Sequence, residues 1–259
     1  MGRGSSGGQG AGQLSGSPLS APTTILPPLT PEQIESGDIL PQGGVDFSEF
    51  EKMSDDEKAD VVEDALRVGT PLFLDDSGLQ RFAYFTGLKD KPTVVNDSQL
   101  DKVKGTEIFR TVNNAYNQKT DIGYTSKDIL DQIATGDFTM YSDSGGSAYG
   151  KAIYFADNFV SSRVYGGTTS SLMMRAKVSR KNSIDGRSLA TNYTQALQRG
   201  DKLASACRKA GYDSAENLYA LAKGYDSVYD TSSGYHMILN RRCLTVSSTY
   251  KDPNGKRQW

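Results

Sequence analysis

Apolar positions recur along this chain with two periods, and the changes of period mark its elements. After Ser54-Asp55-Asp56-Glu57, which has capping-box spacing, Val61, Val62, Ala65 and Leu66 fall at helical intervals and Gly69 can end the turn. A helix is predicted there, and a second short one from Ser77 to Phe85, where Leu79, Phe82, Ala83 and Phe85 supply an apolar face. From about residue 105 the pattern alternates between strand and helix. Glu107 to Val112 reads as a strand, Ser126 to Ile133 as a short helix ended by Gly136, and Ala152 to Phe155 as a brief strand after a glycine-rich turn. A helix is expected through Phe159, Val160, Val164 and Tyr165, and a strand from Leu172 to Val178. Residues 188–210 and 214–222 read as helices. Three short strands are predicted over 227–229, 235–240 and 243–246. Strands interrupted by helices without regular βαβ alternation predict an α+β fold.

Composition divides the chain. Residues 1–44 hold ten of the 27 glycines and six of the nine prolines, so they predict a disordered tail, either a tether to a larger assembly or a solubilising extension. Residues 45–104 form an acidic helical segment and residues 105–248 the main domain. Residues 249–259 form a basic C-terminal tail. Charge sharpens this division. The total is −2, yet residues 45–66 carry −7 and residues 1–44 carry −2, which leaves +7 on 67–259. An acidic leader ahead of a basic body is an intramolecular cover, a docking surface or simply the solvated face of a helix.

The same counts exclude several function classes. No run approaches the length of a membrane span, and the N-terminus lacks the apolar core of a secretory signal. Two cysteines, Cys207 and Cys243, make no disulfide scaffold or zinc site and are expected to be buried packing residues in a reducing compartment. With one histidine, His236, neither a histidine metal centre nor a Ser-His-Asp triad has the material it needs. The net +4 of residues 241–259 comes from Arg241, Arg242, Lys251, Lys256 and Arg257 against Asp252. It lacks interleaved aromatics, so a solvated tail is expected and nucleic acid is not the expected partner.

Three blocks carry candidate chemistry. Arg110 lies within an apolar strand on the face of Ile108 and Val112, where a guanidinium suits bidentate capture of phosphate or an ordinary buried ion pair. Tyr149-Gly150-Lys151-Ala152-Ile153-Tyr154-Phe155-Ala156 places glycine before a strand, where the backbone can approach a ligand, and Tyr154 either stacks on a flat ring or fills the core. It is neither a P-loop nor a dinucleotide fingerprint. The third block, residues 224–230 followed by 234–241, offers Asp226 and Asp230 as loop carboxylates beside a strand.

In this order the blocks resemble the ADP-ribosyltransferase superfamily. The middle one is similar to the Tyr-Gly-x-Gly-Ile-Tyr-Phe-Ala segment of its members, including the poly(ADP-ribose) polymerase-like branch. The nearest likeness is to ADP-ribosyltransferase-like proteins encoded in tailed-phage structural gene regions, and it covers roughly residues 105–248, leaving 1–104 unexplained. The resemblance implies a pair of small, mostly antiparallel sheets with flanking helices, enclosing a cleft that holds NAD in a bent shape. Arg110 would grip the NAD phosphates or ribose beside Thr111, Tyr154 would stack on the nicotinamide, and Tyr149, Gly150 and Tyr235 would line the pocket. Nicotinamide loss through an oxocarbenium-like ribose carbon would precede capture by a protein nucleophile, with a carboxylate stabilising the positive charge.

The chain departs from that pattern at the late strand, where relatives commonly open with Glu and this chain has Tyr235. Asp226 and Asp230 are the nearest replacements, and Lys151-Ala152 stands where a glycine commonly precedes Ile-Tyr. The reading that follows is an NAD-dependent mono-ADP-ribosyltransferase, phage-encoded, requiring no metal, working in a virion or the host cytoplasm on host proteins, without membrane contact. The alternative is a catalytically silent virion protein of the same fold that docks to virion proteins through its N-terminal region.

Overall fold

The structure, a computed structural model, describes residues 47–67, 90–117, 122–135, 152–164, 171–210 and 215–254. The predicted tail and the expected Ser77–Phe85 helix lie outside these residues. In chain order the described elements begin with helices α1 (Phe47–Phe50) and α2 (Asp55–Arg67) and strand β1 (Thr93–Val95). Helix α3 (Asp97–Leu100), strands β2 (Thr106–Val112), β3 (Ala115–Asn117) and β4 (Ile122–Tyr124), and helix α4 (Ser126–Ala134) follow. Next come β5 (Ile153–Ala156), α5 (Phe159–Arg163), β6 (Leu172–Val178), β7 (Ser183–Asp185) and helices α6 (Gly186–Gln198), α7 (Lys202–Ala210) and α8 (Ala215–Ala222). The chain ends with β8 (Ser227–Asp230), β9 (Tyr235–Ile238), a 3-10 turn (Arg241–Cys243) and β10 (Leu244–Lys251).

The fold is mixed α and β, as the alternating pattern predicted. Its strands form one eight-stranded mixed sheet in the order β1-β10-β6-β2-β5-β9-β8-β7, with β3 and β4 as a separate ribbon. The two edge pairs, β1 with β10 and β7 with β8, are parallel and the inner pairs antiparallel. Two separate small sheets are therefore not what forms. The single sheet is nevertheless pinched at its centre. β2 registers with β6 over seven pairs and β5 with β9 over four, but β2 and β5 register only at Phe109 with Ala156.

Each face of the sheet buries its own core. Ile108, Val112, Met174, Ala176, Ile153, Phe155 and Val246 meet Ile129, Leu130 and Ile133 of α4 on one side. That helix starts at a Thr125–Asp128 capping box, and the fully buried Arg241 closes its other end by donating to the Gln132 and Ile133 carbonyls at 2.9 and 3.0 Å. On the opposite side Val228, Met237 and Ile184 pack under α6, α7 and α8. Residues 188–210 do not continue as one helix. Gly200, at φ +73°, takes the left-handed conformation between α6 and α7, which glycine adopts at little cost.

The acidic leader is part of this second core. Phe50, Ala59 and Val62 are buried in it, and Lys58, also buried, donates to the Ala222 carbonyl at 2.7 Å. Around them Asp55 pairs with Lys223, Asp56 with Lys202, Glu63 with Lys209, and Glu51 with Arg242. The leader thus packs by its apolar face and carries its acidic side chains at the surface, and its start is the capping box read from Ser54 and Glu57. β1 also joins the main sheet from within the acidic segment, and β10 runs on to Lys251, so the sheet reaches past both limits expected for the main domain.

Two smaller expectations change. α5 does not bury Val160 and Val164, which are 70% and 78% exposed. The predicted C-terminal basic tail is also largely engaged: Arg241 is buried, Arg242 and Lys251 are ion-paired, and Lys256 and Arg257 lie outside the described residues.

Candidate functional site

The three strands that carry the sequence blocks are neighbours. β2 holds Arg110, β5 holds Tyr154, β9 opens with Tyr235, and they occupy consecutive places at the middle of the sheet. They meet at the pinch. There the one registered pair leaves main-chain groups of β2 and β5 without a regular ladder, and the Arg110 side chain crosses between the strands. Its NH1 donates to the Tyr154 carbonyl oxygen at 2.7 Å. The side chain is half-buried, flanked on its own face by Ile108, Val112 and Met174, so the guanidinium is held in a fixed place at the split.

Thr111 points the other way. It is buried, and its Oγ1 lies 2.7 Å from Ser162 Oγ on α5, itself buried. α5 is set against β2 by an edge-to-face contact of Phe159 with Phe109, ring centroids 6.1 Å apart, and Asn158 caps its start. Ser162 did not emerge from the sequence, where only the apolar residues of this helix drew notice. The available signal was its position seven residues beyond Phe155, on the element that returns over β2.

Tyr154 and Arg110 are close through the main chain and not through their side chains. Phe109 and Ala156 share a face where the halves touch. Arg110 lies on the opposite face, whereas Tyr154, two residues from Ala156, returns to the Ala156 side and packs half-buried against the helical core. Tyr149 and Gly150 lie outside the described residues. Tyr235 sits opposite Ala156 on one side and Asp230 on the other, so a row Phe109–Ala156–Tyr235–Asp230 crosses the pinch.

The two candidate acids occupy different environments. Asp226 is buried, accepts from Arg242 Nε at 2.9 Å and Asn182 Nδ2 at 3.2 Å, and its main-chain oxygen receives the Leu239 and Asn240 amides. Arg242 in turn grips Glu51, and these two carboxylates hold its guanidinium firmly protonated. Asp226 is therefore a structural clamp between the leader and the sheet. Asp230 stands at the other end of β8, about 10–13 Å along the strand. Its carboxylate accepts from the Ser232 amide and hydroxyl and from the Ser233 hydroxyl, which lowers its pKa to about 2 and keeps it ionised. The structure does not bring the two acids to one site.

The two cysteines and the single histidine are buried. Burial pushes the thiols of Cys207 and Cys243 well above the usual range, and both are unpaired by any disulfide. His236 lies between Phe155 and Tyr229 in register, and burial, with the Arg180 charge adding to it, lowers its pKa to about 4. Among the described residues no His/Cys/Asp/Glu group is placed to hold a metal, and no helix is long and apolar enough to cross a membrane.

No protein-family model matches the chain, and no curated protein or solved structure is similar to it.

Proposed function

We propose that the chain is an NAD-dependent mono-ADP-ribosyltransferase whose NAD-binding cleft lies where β2 and β5 diverge. The observation that carries the reading is that pinch. The two halves of the sheet are joined by one registered pair, and that joint falls between the strand bearing Arg110 and the strand bearing Ile153-Tyr154-Phe155-Ala156. A half-buried guanidinium held against the Tyr154 carbonyl suits a diphosphate or a ribose hydroxyl by its chemistry, a planar fork of donors with a permanent charge.

In this reading Arg110 grips the NAD diphosphate, and Thr111, on the opposite face of β2, fixes the strand by its contact with Ser162. The nicotinamide end is assigned to Tyr154 and Tyr235, which share the sheet face opposite the Arg110 side chain. The bond from the ribose C1′ to the nicotinamide nitrogen breaks and its electron pair leaves with nicotinamide. A heteroatom of the acceptor protein then bonds to C1′ and gives up its proton. Of the two acids Asp230 is the one available to stabilise the cationic carbon, since it is ionised and lies in the Tyr235 row, whereas Asp226 is committed to Arg242. A mono-transfer, with the acceptor supplying its own nucleophile, suits a cleft that has Tyr235 where a glutamate would orient a growing chain.

For the silent-docking alternative, three acids of α2 are engaged within the fold, Asp55 with Lys223, Asp56 with Lys202 and Glu63 with Lys209. The test is calorimetric titration of the full chain with NAD. Micromolar-to-millimolar binding that is lost in Arg110→Ala supports the proposal, and absence of binding in the wild type defeats it.

A further inference from the structure

Two turns far apart in sequence meet at one end of the β2–β6 pair. The first, residues 101–105, leads into β2, and the second, residues 179–182, leaves β6. Thr106 registers with Val178, so both turns lie at the same end. They are pressed together: a Cβ placed on Gly105 would come within 2.7 Å of the Val178 carbonyl oxygen and 3.5 Å of the Lys177 Cβ. This juxtaposition collects Lys102, Lys104, Lys177, Arg180 and Lys181. Four of them are exposed and Lys177 is half-buried.

The local carboxylates offset only part of this group: Asp101 and Glu107 share the single charge of Arg175, and Glu107 also lies opposite Lys177 in register. Asp101 and Glu107 both bind the buried Arg175, at 2.5 and 2.6 Å, and Asp226 binds Arg242. Among the described residues none of the five cations forms an ion pair. The second turn is also held in place. Ser179 N donates to the Cys243 carbonyl, Ser183 N donates to that of Arg180, and the Arg180 guanidinium lies 4.6 Å from the centre of the Tyr229 ring.

We infer that this basic surface binds the phosphate backbone of nucleic acid. The composition decides between a polyanionic nucleic acid and an acidic protein. Protein interfaces are built on an apolar or aromatic core and are depleted in lysine, whereas phosphate binding is carried by clustered Lys and Arg. Four of these five residues are lysines, and the exposed large hydrophobics Val94, Val160 and Val164 belong to neither turn. Of the C-terminal basic run, Arg241 is buried against α4 and Arg242 is ion-paired to Glu51 and Asp226. This surface stands whether or not the chain transfers ADP-ribose.

The test is fluorescence anisotropy of the full chain with a labelled DNA duplex and a labelled single strand, each about 20 nucleotides long, between about 50 and 200 mM salt. Five phosphate contacts predict a log–log salt slope of about −4 to −5 on the duplex, and about −3 to −4 on the single strand. The Lys104→Gln/Arg180→Gln/Lys181→Gln variant should keep its melting temperature and lose about three units of duplex slope. Arg199→Gln, an exposed cation at the end of α6, should leave the slope unchanged. Absence of binding at low salt, or the same slope in the triple variant, overturns the inference. Displacement of the duplex by polyglutamate at equal charge concentration also overturns it, and makes the surface a site for an acidic protein.

Discussion

The Arg110 guanidinium donates to the Tyr154 carbonyl oxygen at 2.7 Å, across two central strands that register at a single pair. One side chain therefore both satisfies a main-chain acceptor at the split and sets the charge that the proposed cleft presents.

Arg110→Ala should accordingly have two effects. Loss of the donor leaves a carbonyl short of a partner and costs about 1–3 kcal/mol of stability. NAD affinity should fall by about tenfold or more, the worth of one charge-assisted contact. Arg110→Lys should also fail to bind, because an ammonium cannot hold the carbonyl and a diphosphate with one rigid fork. Chemical denaturation beside calorimetry separates the effects, and wild-type NAD affinity in Arg110→Ala would sink the assignment.

Asp226 and Asp230 should part company under substitution. Asp226→Ala leaves Arg242 with Glu51 as its carboxylate partner and removes the acceptor of Asn182, so a loss of about 1–3 kcal/mol is expected. Asp230→Asn, in a solvent-facing turn, should change the melting temperature little and lower the rate of nicotinamide release. Equal stability loss in both would contradict the division of roles.

The leader helix should prove to be held by apolar burial more than by its ion pairs. Phe50→Ala is expected to cost about 3–5 kcal/mol. Glu63→Gln, which removes one end of an exposed pair with Lys209, should cost under about 1 kcal/mol and lose even that at high salt. Urea midpoints for the two variants at low and high salt decide it.

Acid should destabilise the fold through His236. Its native pKa, about 4, lies below the ordinary 6.5, so the unfolded chain binds a proton that the buried imidazole refuses. Above about 6.5 both states are neutral and the group contributes no slope. As pH falls from about 6.5 to about 4, stability drops by up to about 3 kcal/mol. His236→Gln should flatten that part of the pH–stability curve. An unchanged slope in the variant would place the acid sensitivity elsewhere.

Periodicity exposed most of this fold because the faces are strongly patterned. The strand at Leu172–Val178 and the start of α4 at Ser126 fall where the sequence placed them. What was illegible is non-local. Ser183–Asp185 is too short to show a period, and it is a strand because β8 pairs with it. The break at Gly200 is a single residue in a helical pattern, and the burial of Val62 depends on α7, some 140 residues away. At the site, Arg110 stood out because a charge in an apolar strand needs a reason. Ser162 did not stand out, because a serine on a short helix acquires meaning only when Thr111 is placed 2.7 Å from it. Likewise Asp226 and Asp230 look equivalent in the sequence, and only Arg242 and the serine turn tell them apart.

The most direct test of the transferase proposal is label transfer from tagged NAD to a host-cell lysate, run with free-nicotinamide detection and with Arg110→Ala in parallel. Discrete labelled bands and nicotinamide release with the wild type, both absent with the variant, are the predicted result. Neither label nor released nicotinamide from a wild-type protein shown to be folded would contradict the proposal.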